Sequence, residues 1–345
     1  DEDVSHHQLS DEAQAAKNHL FKPRDVVRTP LHIFAGFLGS EAGKSYHVTL
    51  GQNATYYQKT SETGHIERSF LDAGEDPQRG ATIAYYLEDK PEGDVTLTIL
   101  DGDGNEIETF SSNIPEKKEE REGLYITAEA GLNSFQWPMN YPNGEKLKGD
   151  VEKRPSGPLA PPGAYSVKLT VGDWSMTESF ALLKDPRVEM SDSDFADQFA
   201  FLRKIQDKLS EMVATINEIR SVKDQVAGWS ERLKGHDKGN EVTEAADALK
   251  EKLEAVEKAL IQVEFKSPGD RLNYRTMLYD KLEMLPSVVG SADAPPTAQS
   301  YKVYDKLSGQ ADEQIAAFKA ILDEDLAAFN TLLGSLDVSL VMPPV

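Results

Sequence analysis

At 345 residues the chain has room for about two domains, since a domain takes roughly 150 residues, and 39% hydrophobic and 28% charged residues is the makeup of a folded globular protein. Lys and Arg number 37 against 59 Asp and Glu, a formal charge of −22 that repels phosphate and argues against nucleic acid or an anionic membrane as partner. Cysteine is absent, which excludes disulfides, thiolate metal sites and cysteine nucleophiles, and no apolar run reaches the roughly 20 residues of a membrane-spanning helix.

The chain opens on Asp1 rather than Met, which points to a processed form or a fragment. Residues 1–45 read as an N-terminal extension. Ser10 can cap a helix from Asp11 to about Leu20, with Asp11 and Glu12 in its first turn. Pro23 and Pro30 then hold the backbone extended. Ile33, Phe34, Phe37 and Leu38 lie in an apolar run that needs a surface, so they are candidate partner contacts.

Residues 46–186 read as an antiparallel β domain. Short alternating runs begin at Tyr46, Ala81, Asp94, Glu106, Leu132, Ala164 and Trp174. Asp101-Gly102-Asp103-Gly104-Asn105 and Gly172-Asp173 are turn sequences between such runs, so each predicts a hairpin. About seven short strands at regular spacing suggest an immunoglobulin-like or fibronectin-III-like sandwich. Two stretches interrupt it: the charge run of 116–122, and the Pro/Gly-rich residues 141–163, expected to be mobile or packed on a neighbour.

Residues 187–335 change to helical periodicity. Asp192 or Ser193 can cap a first helix reaching about Leu233, and a second runs from about Glu241 to Phe265. A third runs from Asp270 to about Val289, with Leu272 on its apolar stripe and Pro286 kinking or ending it. A fourth, from Thr297 to about Leu333, carries Tyr301 and Tyr304 on its stripe. Four amphipathic helices with short connections predict an antiparallel four-helix bundle. The overall class is α+β and multidomain. Residues 336–345 form an apolar tail in which Leu340, Val341 and Met342 are further candidate partner contacts.

No nucleophile elbow, phosphate-binding loop or dinucleotide fingerprint occurs. The four helices carry no histidine, which argues against a carboxylate–histidine metal core. Asp101, Asp103 and Asn105 place oxygens as the start of a calcium loop does, but Glu106 stands where that loop needs Gly and Ser112 where it needs Glu. A hairpin turn is the stronger reading, and neither metal nor cofactor is expected. Tyr57 and Tyr141 are candidate sugar-stacking residues, while Trp137 and Trp174 are assigned to the core.

Several segments keep a common order: Gly80–Leu87, Gly93–Asp101, Gly131–Trp137, Pro162–Leu169, Asp185-Pro186-Arg187 and Ile216–Arg220. This order resembles the C-terminal region of bacterial sortilin-like (VPS10-like) BNR-repeat proteins, often labelled glycosyl hydrolases. Asn18–Arg24 resembles the point where their propeller ends, so the resemblance covers most of residues 18–335. Trp137 is followed by Pro138-Met139 where the family continues Asp-Leu-Arg, and no Asp-box repeat is present. With no catalytic constellation, and with residues 31–38 and 338–345 needing a partner surface, the chain reads as a non-catalytic module packing on a propeller or partner subunit, and the resemblance implies an exported protein, extracellular or periplasmic. The alternative it leaves open is a carbohydrate-binding or accessory module of a glycoside hydrolase.

Overall fold

The turn Asp101–Asn105 shows how local chemistry sets this fold. Asp101 accepts hydrogen bonds from the backbone N–H groups of Asp103 (3.0 Å) and Asn105 (2.9 Å), and from the Asn105 amide at 3.0 Å. The turn brings β7 (Val95–Leu100) back against β8 (Glu106–Ser111) as an antiparallel pair. The structure is a computed structural model that describes residues 15–29, 43–49, 52–74, 79–149 and 153–336. It is a mixed α+β protein.

The chain divides into two units. The first takes in described residues up to Pro142, with Pro158–Phe199 and Gly290–Pro295. The second takes in Asn143–Gly157, Ala200–Val289 and the described residues from Pro296 on.

The first unit holds three sheets. One has the order β1 (Asn18–Leu20), β6 (Ala81–Leu87), β9 (Gly131–Trp137). A second runs β2 (Val26–Arg28), β11 (Trp174–Lys184), β10 (Gly163–Val171), β7, β8. The third is the meander β3 (Gly43–Thr49), β4 (Gln52–Thr60), β5 (Ile66–Phe70). Alternation in β7 turns Val95, Leu97 and Ile99 inward, all at 0% exposure. They join Ile83, Tyr85, Phe135, Trp137 and Val167 in one cluster fed by the first two sheets. The Gly172 turn, at φ 55°, closes the expected β10–β11 hairpin.

Three expectations are corrected here. Asn18–Leu20 is a strand rather than the end of a helix: pairing with Leu87, Tyr86 and Tyr85 satisfies its backbone and buries Leu20. Strands β4 and β5 had no counterpart among the expected runs, because their residues do not alternate cleanly in polarity; from Ala54 to Thr60 only Tyr56 and Gln58 are buried, and Gln58 is polar. Trp137 is fully buried as expected, but Trp174 is only partly buried against the core.

The second unit is built on helices. Helix α1 (Asp192–Arg232) is capped by Ser191, not by Asp192 or Ser193: Ser191 Oγ accepts from Asp194 N at 3.2 Å while Asp194 accepts from Ser191 N at 3.0 Å. From Ala200 onward the helix belongs to this unit. Helix α2 (Gly239–Leu260) carries the expected stripe, with Val242, Ala246, Leu249 and Leu253 all buried. The expected third helix is broken into a 3-10 turn (Pro268–Leu272), α3 (Leu278–Leu282) and α4 (Leu285–Val289). Pro286 falls in the first turn of α4, where its missing N–H costs nothing. Leu272, expected on a buried stripe, is 91% exposed. Helix α5 (Ala298–Ile321) starts at Thr297, whose side chain accepts from Ser300 N. It passes through a π-turn at Leu322–Leu326 into α6 (Ala327–Gly334). Tyr304 is buried, but Tyr301, also assigned to the core, is exposed and stacks on Phe201 at 4.2 Å.

The Pro/Gly-rich stretch is divided between the units. Leu147 is part of the core of the helical one, and Asn217 fixes it there by accepting from Lys148 N (2.9 Å) and donating to Lys146 O (2.8 Å). Among the described residues no helix is long and apolar enough to cross a membrane.

Candidate functional site

A concavity of the first unit, about 690 Å³, lies among four connections: the β4–β5 turn, the β6–β7 loop, the segment after β8 and the approach to β9. Each wall has a local cause. In the β4–β5 turn Ser61 Oγ accepts from His65 N at 3.0 Å. Gly64 stands at φ 86°, and a Cβ there would come within 2.5 Å of Gly123 O, so only glycine lets the turn approach this closely. Tyr125 N donates to Thr63 O at 2.9 Å, and the His65 ring lies 5.5 Å from Phe135. Burial pushes the His65 imidazole below its ordinary value, and nearby Glu67 opposes the shift.

Asp94 closes the β6–β7 loop. It accepts from Ser111 Oγ at 2.8 Å, from Ser112 Oγ at 2.9 Å and from Ser112 N at 3.1 Å. Lys90 pairs with Glu129 at 2.8 Å. The lining includes Ile114 and the buried Ile126. Among the described residues that line it are five carboxylates, on Glu62, Glu67, Glu92, Asp94 and Glu129, and one cation, Lys90; Glu67 also pairs with Lys59 at 2.8 Å. Such a groove can receive a chain segment bearing Lys or Arg, with the Thr127 hydroxyl on its lining as a further polar group. No aromatic ring lines it among the described residues, so it offers no face on which a sugar ring stacks.

The residues singled out from sequence lie elsewhere. Tyr57 projects from β4 at 52% exposure, with Lys44 over its ring at 6.0 Å. Tyr141 follows β9, half-buried, with its ring 4.7 Å from Phe199. They stand on different elements, and neither lines the groove. Asp101, Asp103 and Asn105 do come together, but the Asp101 oxygens are taken up by the turn's own donors, the Asn105 amide first, and this holds the carboxyl below its ordinary range. Among the described residues no group of three or more His, Asp or Glu side chains is placed to hold a metal. Ile33, Phe34, Phe37, Leu38, Leu340, Val341 and Met342 lie outside the described residues.

Sequence reading missed the groove because its walls come from four separate connections, none with a motif. The charge imbalance was visible, but only the fold gathers Glu62, Glu92 and Glu129.

No family model matches the chain, and no curated protein matches it. The solved structure pT26-6p is similar over 75% of this chain and 46% of its own length, at 11% identity and a TM-score of 0.16. The chain thus spans less than half of that structure, and a likeness so slight carries no argument about fold or function.

Proposed function

We propose that the chain is a non-catalytic interaction module whose first unit holds a cationic segment of a protein partner in the acidic groove. In this reading the first two sheets form an immunoglobulin-like or fibronectin-III-like sandwich and the helices an antiparallel four-helix bundle. The order of motifs between residues 18 and 335 supports a place in an exported bacterial protein of the sortilin-like BNR-repeat kind, extracellular or periplasmic, with a propeller or partner subunit as the neighbour.

The single observation that carries the reading is the groove, with its five carboxylates facing one paired lysine.

The test is a photo-crosslinking residue placed at Thr127, in the full chain, exposed to the native envelope fraction. Crosslinks to one recurring Lys- or Arg-rich segment support the proposal. Crosslinks spread over unrelated segments without basic residues overturn it. The carbohydrate alternative is favoured by the exposed Tyr57 ring. Polysaccharide retention that is lost in Tyr57→Ala and unaffected by groove substitutions would move the function there.

A further inference from the structure

In the helical unit a second cavity, of about 180 Å³, has the opposite electrostatic character. Three cations line it, Lys153, Arg220 and Lys266, and no carboxylate does so among the described residues, in a chain whose formal charge is −22. Leu147, Ile261, Val263 and Phe265 supply the apolar part of the wall.

Lys153 is the deepest of the three, its side chain 8% exposed. An ammonium buried so far must be compensated. Asp280 accepts one hydrogen bond from it, Glu283 stands at 3.7 Å, and the rings of Tyr279 and Phe265 lie 5.0 and 5.5 Å from Nζ. Asp280 is itself fully engaged, accepting from Gln262 N and Met277 N at 3.1 Å each. An ammonium has three donors, and among the described residues one is used. Arg220 is held the same way. Its Nε donates to Glu257 at 2.7 Å and Nη1 to Lys148 O, which leaves Nη2 without a protein acceptor among the described residues. Gly149, at φ 128°, a conformation that favours glycine, lines the cavity, and a Cβ there would stand 2.7 Å from Arg220 Nη1. The Lys266 side chain is exposed and has no ion pair among the described residues.

We infer that this cavity binds a small tetrahedral oxyanion, of the size and charge of phosphate or sulfate. A cavity of this volume holds several waters, enough room for the anion and part of its hydration. Lys153, Arg220 and Lys266 line this one cavity beside an apolar wall, which raises the strength of each charged hydrogen bond made there. The anion is either free in solution or the terminal phosphoryl group of a larger molecule, and both present the same oxygens.

The test is direct binding by calorimetry on the full chain, using inorganic phosphate, inorganic sulfate and O-phosphoserine, with chloride at matched ionic strength as blank. Direct binding is chosen because sulfate and phosphate stabilise folded proteins without a site. One-site, saturable binding is expected, weakened about fivefold in Lys266→Ala and lost in Lys153→Met, while Lys168→Ala, an exposed position on β10 in the other unit, leaves it unchanged. Tighter binding of O-phosphoserine than of phosphate assigns the site to a phosphoryl group; the reverse assigns it to the free ion. Lys266→Ala changes an exposed side chain, so it keeps the test sound if Lys153→Met does not fold. No saturable binding up to about 10 mM, or binding indifferent to Lys266→Ala, overturns the inference.

Discussion

Arg28 and Asp293 stand 265 residues apart in sequence and share one buried ion pair. Their side chains are 5% and 3% exposed. The guanidinium also donates through Nε to Ala160 O at 2.8 Å and lies 5.0 Å over the Phe195 ring. Gln198 holds the approach to Asp293, donating to Ala292 O at 2.8 Å and Ala294 O at 3.1 Å. A strand from the start of the chain, the loop before β10 and a six-residue segment near the end are thereby fixed in one unit.

Removing one partner of such a pair strands the other charge in a low-dielectric interior. Asp293→Ala is therefore expected to destabilise the first unit by about 3–5 kcal/mol, measured by urea denaturation followed through tryptophan fluorescence. The double change Arg28→Met with Asp293→Leu removes both charges and is expected to cost less than Asp293→Ala alone. A double variant less stable than either single would contradict this picture.

Trp137 offers a separate test of the β core. It is 0% exposed, and its indole N–H has no hydrogen-bond partner among the described residues. Trp137→Ala is expected to cost about 3–5 kcal/mol through the cavity it opens. Trp137→Phe keeps most of the ring volume and removes an unsatisfied donor, itself a cost of about 1–3 kcal/mol. Its loss is expected to be under about 2 kcal/mol, read by the same denaturation.

Stability should fall with acid in two stages. The His65 pKa is lowered in the folded state by burial, so its contribution is present above its unfolded value near 6.5 and is lost as pH falls through the folded value. Asp185 is held down to about 2, first by its hydrogen bond from the Arg187 side chain, so its contribution is present above the unfolded value near 4 and lost between there and about 2. Melting temperature against pH is expected to show both declines. His65→Phe should abolish the upper one and leave the lower, and Asp185→Asn should reduce the lower one only.

Much of the second unit was legible because period and burial agree along α1, α2 and α5, where Ile216, Leu253 and Ile315 recur on one face and are buried. The central strands were legible for the same reason at period two, as in Val95, Leu97 and Ile99. The rest depended on contacts between distant segments. Asn18–Leu20 takes its strand form from β6, and nothing local to it announces that partner. Residues 268–289 carry enough apolar positions for one helix. Yet Asp270, accepting from Lys266 N at 2.7 Å and Ser267 N at 2.8 Å, closes a short turn instead, and Asp280 is drawn to Lys153. The candidate sites were least legible of all. Glu62, Lys90, Asp94 and Glu129 are ordinary surface residues in sequence, and so is Lys153 until the chain brings Asp280 to it from 127 positions away.

The most direct measurement is a titration of the full chain with a lysine-rich hexapeptide, followed by fluorescence anisotropy of the labelled peptide. An acidic chain attracts such a peptide anywhere, so two variants with the same change in net charge are compared. Glu62→Gln with Glu92→Gln alters the groove, and Glu241→Gln with Glu244→Gln alters an exposed face of α2. If the groove is the binding site, affinity should drop about fivefold or more in the first variant, stay near the parent value in the second, and weaken with salt in the parent. Equal losses in both variants would show attraction to net charge alone and would contradict a binding groove in the first unit.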